Sequence, residues 1–224
     1  MDVTALVVVR NHARFISQAI ESIKQSPVTS VVVVDDGSDD ESATVALLTW
    51  KNPRPFLLAK TRAMGVGIAR NLAIRLAPRG TYWAWLDADD FWLPGKIEKQ
   101  LEALRGRTDA LVLTLSEQFL DGVPCPRILK PETIGVPLPL PFPSSLLCHS
   151  DVFDRVGGFD KDLVCANDVD WFRRAFKLGI ERIDVPEVLV KKRIHGENLS
   201  LHQGHDMVEQ LFRVVQKPVR AGRP

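Results

Sequence analysis

No stretch of this chain stays apolar for the ~20 residues that a membrane-spanning helix requires. A soluble protein is expected, with peripheral membrane contact left open. Nor does the N-terminus carry a basic segment followed by a small-residue cleavage site. A strand-like run, Val3-Thr4-Ala5-Leu6-Val7-Val8-Val9, begins almost at once. Cysteine is scarce: Cys125, Cys148 and Cys165 are an odd number without CxxC spacing. That argues against a disulfide framework and fits reduced thiols in the cytoplasm. Net charge is nearly absent, +1 from 29 basic and 28 acidic residues, so no global field recruits nucleic acid. Internal repeats are lacking as well.

What the 224 residues do hold is alternation. Apolar runs at 3–9, Val31-Val32-Val33-Val34, 56–59, 82–86 and 110–116 read as buried strands. Between them lie helical patterns. Phe15, Ile16, Ala19, Ile20 and Ile23 share one face, and further helices are expected over 44–50, 65–76 and 94–105, the last with Pro94 in its first turn. Ser38 and Glu41 have capping-box spacing ahead of the second helix. Strand–helix alternation predicts an α/β domain with a mostly parallel central sheet flanked by helices on both faces.

Residues 121–143 break the pattern with seven prolines, which exclude a helix or a central strand and mark a long connecting loop. Residues 145–149 then look extended, 167–178 helical, 191–200 basic and turn-rich, and 207–215 amphipathic. One continuous domain in two halves follows, 1–120 and 144–224, joined by that loop.

The chemistry gathers where strands end. Tyr82-Trp83-Ala84-Trp85-Leu86 stops abruptly in Asp87-Ala88-Asp89-Asp90, at the end of a strand where open α/β sheets bind ligands. Crowded carboxylates there invite a hard divalent cation, which commonly holds nucleotide phosphates. Asp89 is the candidate metal ligand, Asp87 the candidate for sugar hydroxyls, and Asp90 a candidate helix cap. Asp35-Asp36-Gly37-Ser38 offers carboxylates to a nucleobase or ribose. Gly65-Val66-Gly67-Ile68-Ala69-Arg70-Asn71 lacks the third glycine of a dinucleotide fingerprint. Its glycines fit a tight turn, and Arg70 fits an acid or a phosphate. Asp168 and Asp170, two apart on a helix, point about 200° from each other, so only one can face a cleft. In Arg193-Ile194-His195-Gly196-Glu197-Asn198-Leu199-Ser200, either His195 completes a metal shell or Arg193 holds a phosphate. His12, His149, His202 and His205 show no ligand spacing.

In this order the segments resemble inverting family 2 glycosyltransferases of the GT-A fold. The likeness rests on Val9-Arg10-Asn11-His12, Val33-Val34-Asp35-Asp36-Gly37-Ser38, Gly67-Ile68-Ala69-Arg70-Asn71 and Leu86-Asp87-Ala88-Asp89-Asp90. It continues through Val156-Gly157-Gly158-Phe159-Asp160, Asn167-Asp168-Val169-Asp170 and Arg193 to Ser200. It implies a single GT-A-type domain whose residues 1–120 bind a nucleotide-sugar donor and whose residues 144–224 bind the acceptor and carry catalysis. It also implies Mn²⁺ or Mg²⁺ held by Asp89 with His195, and nucleotide contacts from Asp35 or Asp36, Arg70 and Asp87. Asp168 matches the general base that would activate a hydroxyl on a glycan, lipid-linked or other acceptor. Two positions depart from the family pattern: Arg10 stands for an aromatic residue, and Asn167 for a glutamate.

Two rivals remain in view. A nucleotidyltransferase needs a Gly-rich triphosphate loop after its first strand, and Arg10-Asn11-His12-Ala13-Arg14 has no glycine. A non-catalytic nucleotide-binding protein on the same fold is opposed by the joint presence of Asp87, Asp89 and Asp168.

Overall fold

Alternating side chains of the first strand, β1 (Val3–Val9), divide between two cores, and that division organises the molecule. Val3, Ala5, Val7 and Val9 join one core, Leu6 and Val8 the other. The computed structural model describes residues 1–199 and 204–216, without the side chains of 204–208. Ser200 and His202 of the sequence reading fall outside the described residues, as does the His205 side chain.

Helix α1 (Ala13–Lys24) lays Phe15, Ile16, Ala19, Ile20 and Ile23 into the first core, as the periodicity predicts. Each such isoleucine contributes about 1.5–3 kcal/mol by leaving water. Then come β2 (Ser30–Asp35), α2 (Ser42–Thr49), β3 (Phe56–Lys60), α3 (Val66–Leu76) and β4 (Tyr82–Asp87). Tyr82, Ala84 and Leu86 of β4 follow β1 into the first core, while Trp83 and Trp85 enter the second beside Ala69 and Ala73 of α3. After β4 the order is β5 (Phe91–Trp92), α4 (Lys96–Leu104), β6 (Ala110–Leu120), β7 (Pro137–Leu138) and β8 (Leu146–His149). The chain goes on through α5 (Ser150–Val156), α6 (Asn167–Lys177), β9 (Glu181–Ile194) and α7 (Gly204–Gln216).

The strands form one sheet in the order β3-β2-β1-β4-β8-β6-β9-β5, with β7 beside β6. β1, β2, β3 and β4 are mutually parallel, and β6 with β9 is parallel too. β8, β7 and β5 pair antiparallel. The α/β expectation, mostly parallel with helices on both faces, is what the chain builds.

Several local expectations need correction. Residues 191–194 are not turn: β9 runs unbroken to Ile194, its Pro186 lying where the register against β6 shifts beside Thr114. A bulge is where a strand tolerates a missing N–H. Helix α2 is not capped by Ser38 with Glu41. Asp40 accepts from Ser42 N at 2.9 Å, while the Ser38 hydroxyl accepts from Asn11 N at 3.0 Å. Pro94 stands before α4, whose cap is Gly95 in the left-handed region.

Candidate active site

Three chain segments meet at the C-terminal ends of β1 and β4. The pairing of β5 with β9 brings them together: Phe91 opposes Lys191 and Trp92 opposes Val190, so the turn just before Phe91 lies against residues just after Lys191. Asp90 locks that turn. Its Oδ1 accepts from Arg193 N at 2.9 Å and its Oδ2 from the Ser144 hydroxyl at 2.7 Å, while Asp87 N donates to the same hydroxyl at 3.1 Å. Burial and the charges of Asp89 and Asp87 push Asp90 up to about 7, against the pull of Lys192. Asp90 is thus a buried clamp, where a helix cap was expected.

Arg193 does not line the cleft. Its Nε donates to the Asp89 carbonyl at 2.9 Å and its Nη1 pairs with Asp121 at 2.9 Å. The guanidinium stacks 4.8 Å from the centroids of both Phe15 and Phe119. This buried arginine fixes the backbone of Asp89.

Asp89 presents its carboxylate to the cleft. Oδ2 lies 3.1 Å from His195 Nε2 and accepts from Asn198 Nδ2 at 3.1 Å. Burial alone would raise this acid. The His195 hydrogen bond and the nearby charges of His12 and Lys192 outweigh it and hold Asp89 at about 2. His12, at the first residue before α1, brings its ring 5.5 Å from that of His195. One ligand atom each from His12, Asp89 and His195 lie within 4.8 Å of one another. Imidazole and carboxylate donors this close suit a divalent ion. Sequence spacing hid His12, which lies 77 residues from Asp89; the signal was structural, since the turn after β1 opens on the same crevice as the end of β4.

Side-chain alternation along β4 points Asp87 the same way as Trp83 and Trp85, toward α3 and α6. There Arg70 bridges the two helices, Nη2 donating to Asp87 at 2.8 Å and Nη1 to Asn167 at 2.6 Å. Gly65, with φ 102°, makes the turn into α3. A Cβ on Gly67 would come 2.8 Å from the Asp160 carbonyl, so that helix end packs directly on the chain leading to α6.

At the start of α6, Asp168 lines the cleft and Asp170 is turned away into a 2.7 Å pair with Arg174. The helical-angle expectation is met. Burial raises the Asp168 carboxyl above its ordinary value, Arg70 opposes this, and Asp87 adds to it.

The two acids after β2 behave differently from each other. Asp36 lines the cleft, but its oxygens accept from Thr61 Oγ1 (2.7 Å), Met64 N (2.8 Å) and Gly65 N (2.8 Å). Asp35 is fully buried, accepts from Ser38 N at 2.8 Å, and does not line the cleft at all.

Lys192 is the residue that sequence reading passed over. It lines the cleft among Asp90, Asp87, Asp89 and Asp168, whose charges overcome its burial and raise it to about 12. The cleft has a volume of about 320 Å³, and His12, Asp89, Asn167 and Asp168 are among its lining residues.

Residues 4–159, most of the chain, match the family described as Glycosyl transferase family 2. The chain belongs to that family. This family 2 chain is 30% identical to an uncharacterized glycosyltransferase of Rickettsia prowazekii, over 90% of its own length and 67% of that protein's. It is 24% identical to chondroitin synthase of Escherichia coli, over 92% of its length and 31% of the synthase. It thus spans about two thirds of the first relative and about a third of the second. Among solved structures it is similar to a mannosyltransferase of Pyrobaculum calidifontis in complex with GDP-Man and Mn²⁺. That match has a TM-score of 0.74 and 18% identity, covering 98% of this chain and 65% of that one. Staphylococcus aureus TarS in complex with UDP matches at TM-score 0.70 and 17% identity, over 87% and 61% of the two chains. The fold is therefore the GT-A fold of these transferases. Among the described residues no helix is long and apolar enough to cross a membrane.

Proposed function

We infer that this chain moves a sugar from a nucleotide-sugar donor to an acceptor hydroxyl with inversion at the anomeric carbon. The reading includes a divalent cation, Mn²⁺ or Mg²⁺, held by Asp89 and His195. Residues 1–120 bind the donor and residues from 144 onward the acceptor, with 121–143 connecting them. One observation carries the reading: Asp89 and Asp168 border a single cleft, with Lys192 also in its wall. Nucleotide-sugar complexes of fold neighbours support the donor class. Cytoplasmic work fits the three free cysteines.

Asp168 accepts the proton of the acceptor hydroxyl as that oxygen attacks the anomeric carbon. The bond from the sugar to the diphosphate breaks, and its electron pair leaves on the phosphate oxygen. A cation bound at Asp89 supplies Lewis-acid neutralisation of that charge. The Lys192 ammonium, in the wall of the same cleft, adds fixed positive charge that opposes the charge developing on the diphosphate. Asp87, oriented by Arg70, meets the ribose, and Asp36 shapes the nucleobase side. Arg10, in the cleft wall, offers a guanidinium face where the family usually has an aromatic one.

The test is a thermal-shift screen of UDP- and GDP-sugars with and without Mn²⁺, followed by assay of nucleoside diphosphate release. Ligand binding raises apparent stability. Cation-dependent stabilisation with slow donor hydrolysis is expected. Stabilisation without any release points to a non-catalytic binder, formation of nucleoside triphosphate and sugar 1-phosphate on adding pyrophosphate points to a nucleotidyltransferase, and no stabilisation by any nucleotide ends the reading.

A further inference from the structure

We propose that His12 is a third protein ligand of the divalent cation, making a two-imidazole, one-carboxylate site that takes Mn²⁺, Co²⁺ or Zn²⁺ ahead of Mg²⁺ and before any nucleotide arrives. The inference extends the proposed cation site, but the binding it describes needs no sugar transfer.

The geometry is the first ground. Donors about 2.0–2.2 Å from one ion sit roughly 3–4.3 Å apart. The atoms offered by His12, Asp89 and His195 already lie within 4.8 Å of one another, so a small closure suffices. Among the described residues the ring nitrogens of His12 make no hydrogen bond; the ring lies 6.0 Å from that of Phe15 and 5.5 Å from that of His195, with the carboxylates of Asp40 and Asp89 nearby.

The second ground is how firmly the residue is held. Asn11 adopts φ 54°, a left-handed turn that asparagine tolerates. Its Oδ1 accepts from Asp39 N at 2.8 Å, and Ser38 Oγ accepts from Asn11 N at 3.0 Å. His12 N donates to Ser42 Oγ at 2.8 Å, and Ala13 N donates to Asp40 Oδ2 at 2.9 Å. Four bonds thus staple the turn after β1 to the turn after β2, and none of them uses the imidazole. Such preorganisation is what a ligand needs from its support.

The third ground is donor chemistry. Oxygen-only sites suit Mg²⁺, whereas imidazole favours transition ions, with affinity rising from Mn²⁺ through Co²⁺ toward Zn²⁺. Two imidazoles with a carboxylate bind an ion without help from phosphate oxygens, which then fill its remaining positions.

The experiment uses the whole chain, stripped with a chelator and titrated calorimetrically with Mn²⁺ and with Mg²⁺ in the absence of nucleotide. Wild type is expected to bind Mn²⁺ and to bind Mg²⁺ far more weakly. His12→Ala should weaken Mn²⁺ binding by about tenfold or more, since even an outer-shell change costs that much, while its thermal unfolding without metal stays as in wild type. Pulsed EPR of Mn²⁺ on wild-type protein with isotope-labelled histidine needs no variant and should count two coordinating imidazoles. A single imidazole, or equal Mn²⁺ affinity of wild type and His12→Ala, overturns the inference. So does absence of Mn²⁺ binding until nucleotide is added. The two readings fail separately: two-imidazole binding without donor turnover leaves this one standing, and sugar transfer with one coordinated imidazole leaves the other.

Discussion

β2 and β4 flank β1 on either side, run parallel to it, and each ends in clustered carboxylates, yet they put those acids to different uses. After β2, Asp36 accepts from one hydroxyl and two backbone N–H groups of the chain between β3 and α3, and Asp35 from the N–H of Ser38 in its own turn. After β4, Asp87 and Asp89 take their partners from side chains of α3 and of the segment beyond β9, and both line the cleft. Position at a strand end therefore does not by itself make an acid a ligand. What separates these acids is where each carboxylate lies and what it already holds: Asp35 lies outside the cleft, Asp36 is taken up by the chain before α3, and Asp87 and Asp89 face the cleft with side-chain partners only.

The sharpest test falls on Asp168, the acid for which we propose a wholly chemical role. Asp168→Asn is expected to slow transfer by about 10²–10⁴, the usual worth of a general base, with nucleotide affinity kept. Steady-state release of nucleoside diphosphate measures the first, and calorimetric titration with nucleotide the second. Intact transfer would remove Asp168 from the base role.

A crossed pair comes next. Asp36→Ala removes three hydrogen bonds to partly exposed donors, each worth about 0.5–1.5 kcal/mol; urea unfolding should show it. Asp89→Asn should also cost some stability, because the fold favours its ionised form, but its distinguishing loss is cation-dependent nucleotide binding, weakened by at least the roughly 10–100-fold that outer-shell losses cost. If the two variants exchange these phenotypes, the contrast between the strand ends is misdrawn.

Much of this was legible because apolar runs and helical periods are local. Valines at 31–34 and the Phe15–Ile23 face need no partner to be read, and the opposed directions of Asp168 and Asp170 follow from helix pitch alone. β9 was not legible, since Pro186 and Lys191-Lys192-Arg193 carry the marks of a solvated loop. Their charges are matched only by tertiary neighbours: Glu117 for Lys191, Asp121 for Arg193, and the cleft acids for Lys192. His12 was invisible for the same reason, as nothing near it in sequence says that β9 returns His195 to its side. The partners of Asp36 were not legible either, because Met64 N and Gly65 N are backbone groups that carry no sequence signature.

A smaller effect concerns pH. Because burial raises Asp168, and the proposed base must be ionised, kcat/KM should rise with pH through a limb displaced upward from the ordinary aspartate value. Lys192 pulls that acid down, so Lys192→Met should move the limb to still higher pH, besides lowering the rate. A limb that stays in place in the variant would mean that another group sets it.

The smallest expected effect is at Asp35, and it bears most directly on the comparison. This carboxylate is fully buried, with Ser38 N on Oδ1 and the largely exposed Lys60 3.5 Å from Oδ2. Asn keeps the acceptor for Ser38 and loses only the charge facing Lys60, an interaction that water screens. Asp35→Asn should therefore cost on the order of 1 kcal/mol in urea unfolding, the worth of one altered hydrogen bond, and leave nucleotide affinity as it is. A marked loss of nucleotide binding with normal stability would put Asp35 in contact with the ligand, and the β2 end would then belong with the β4 end after all.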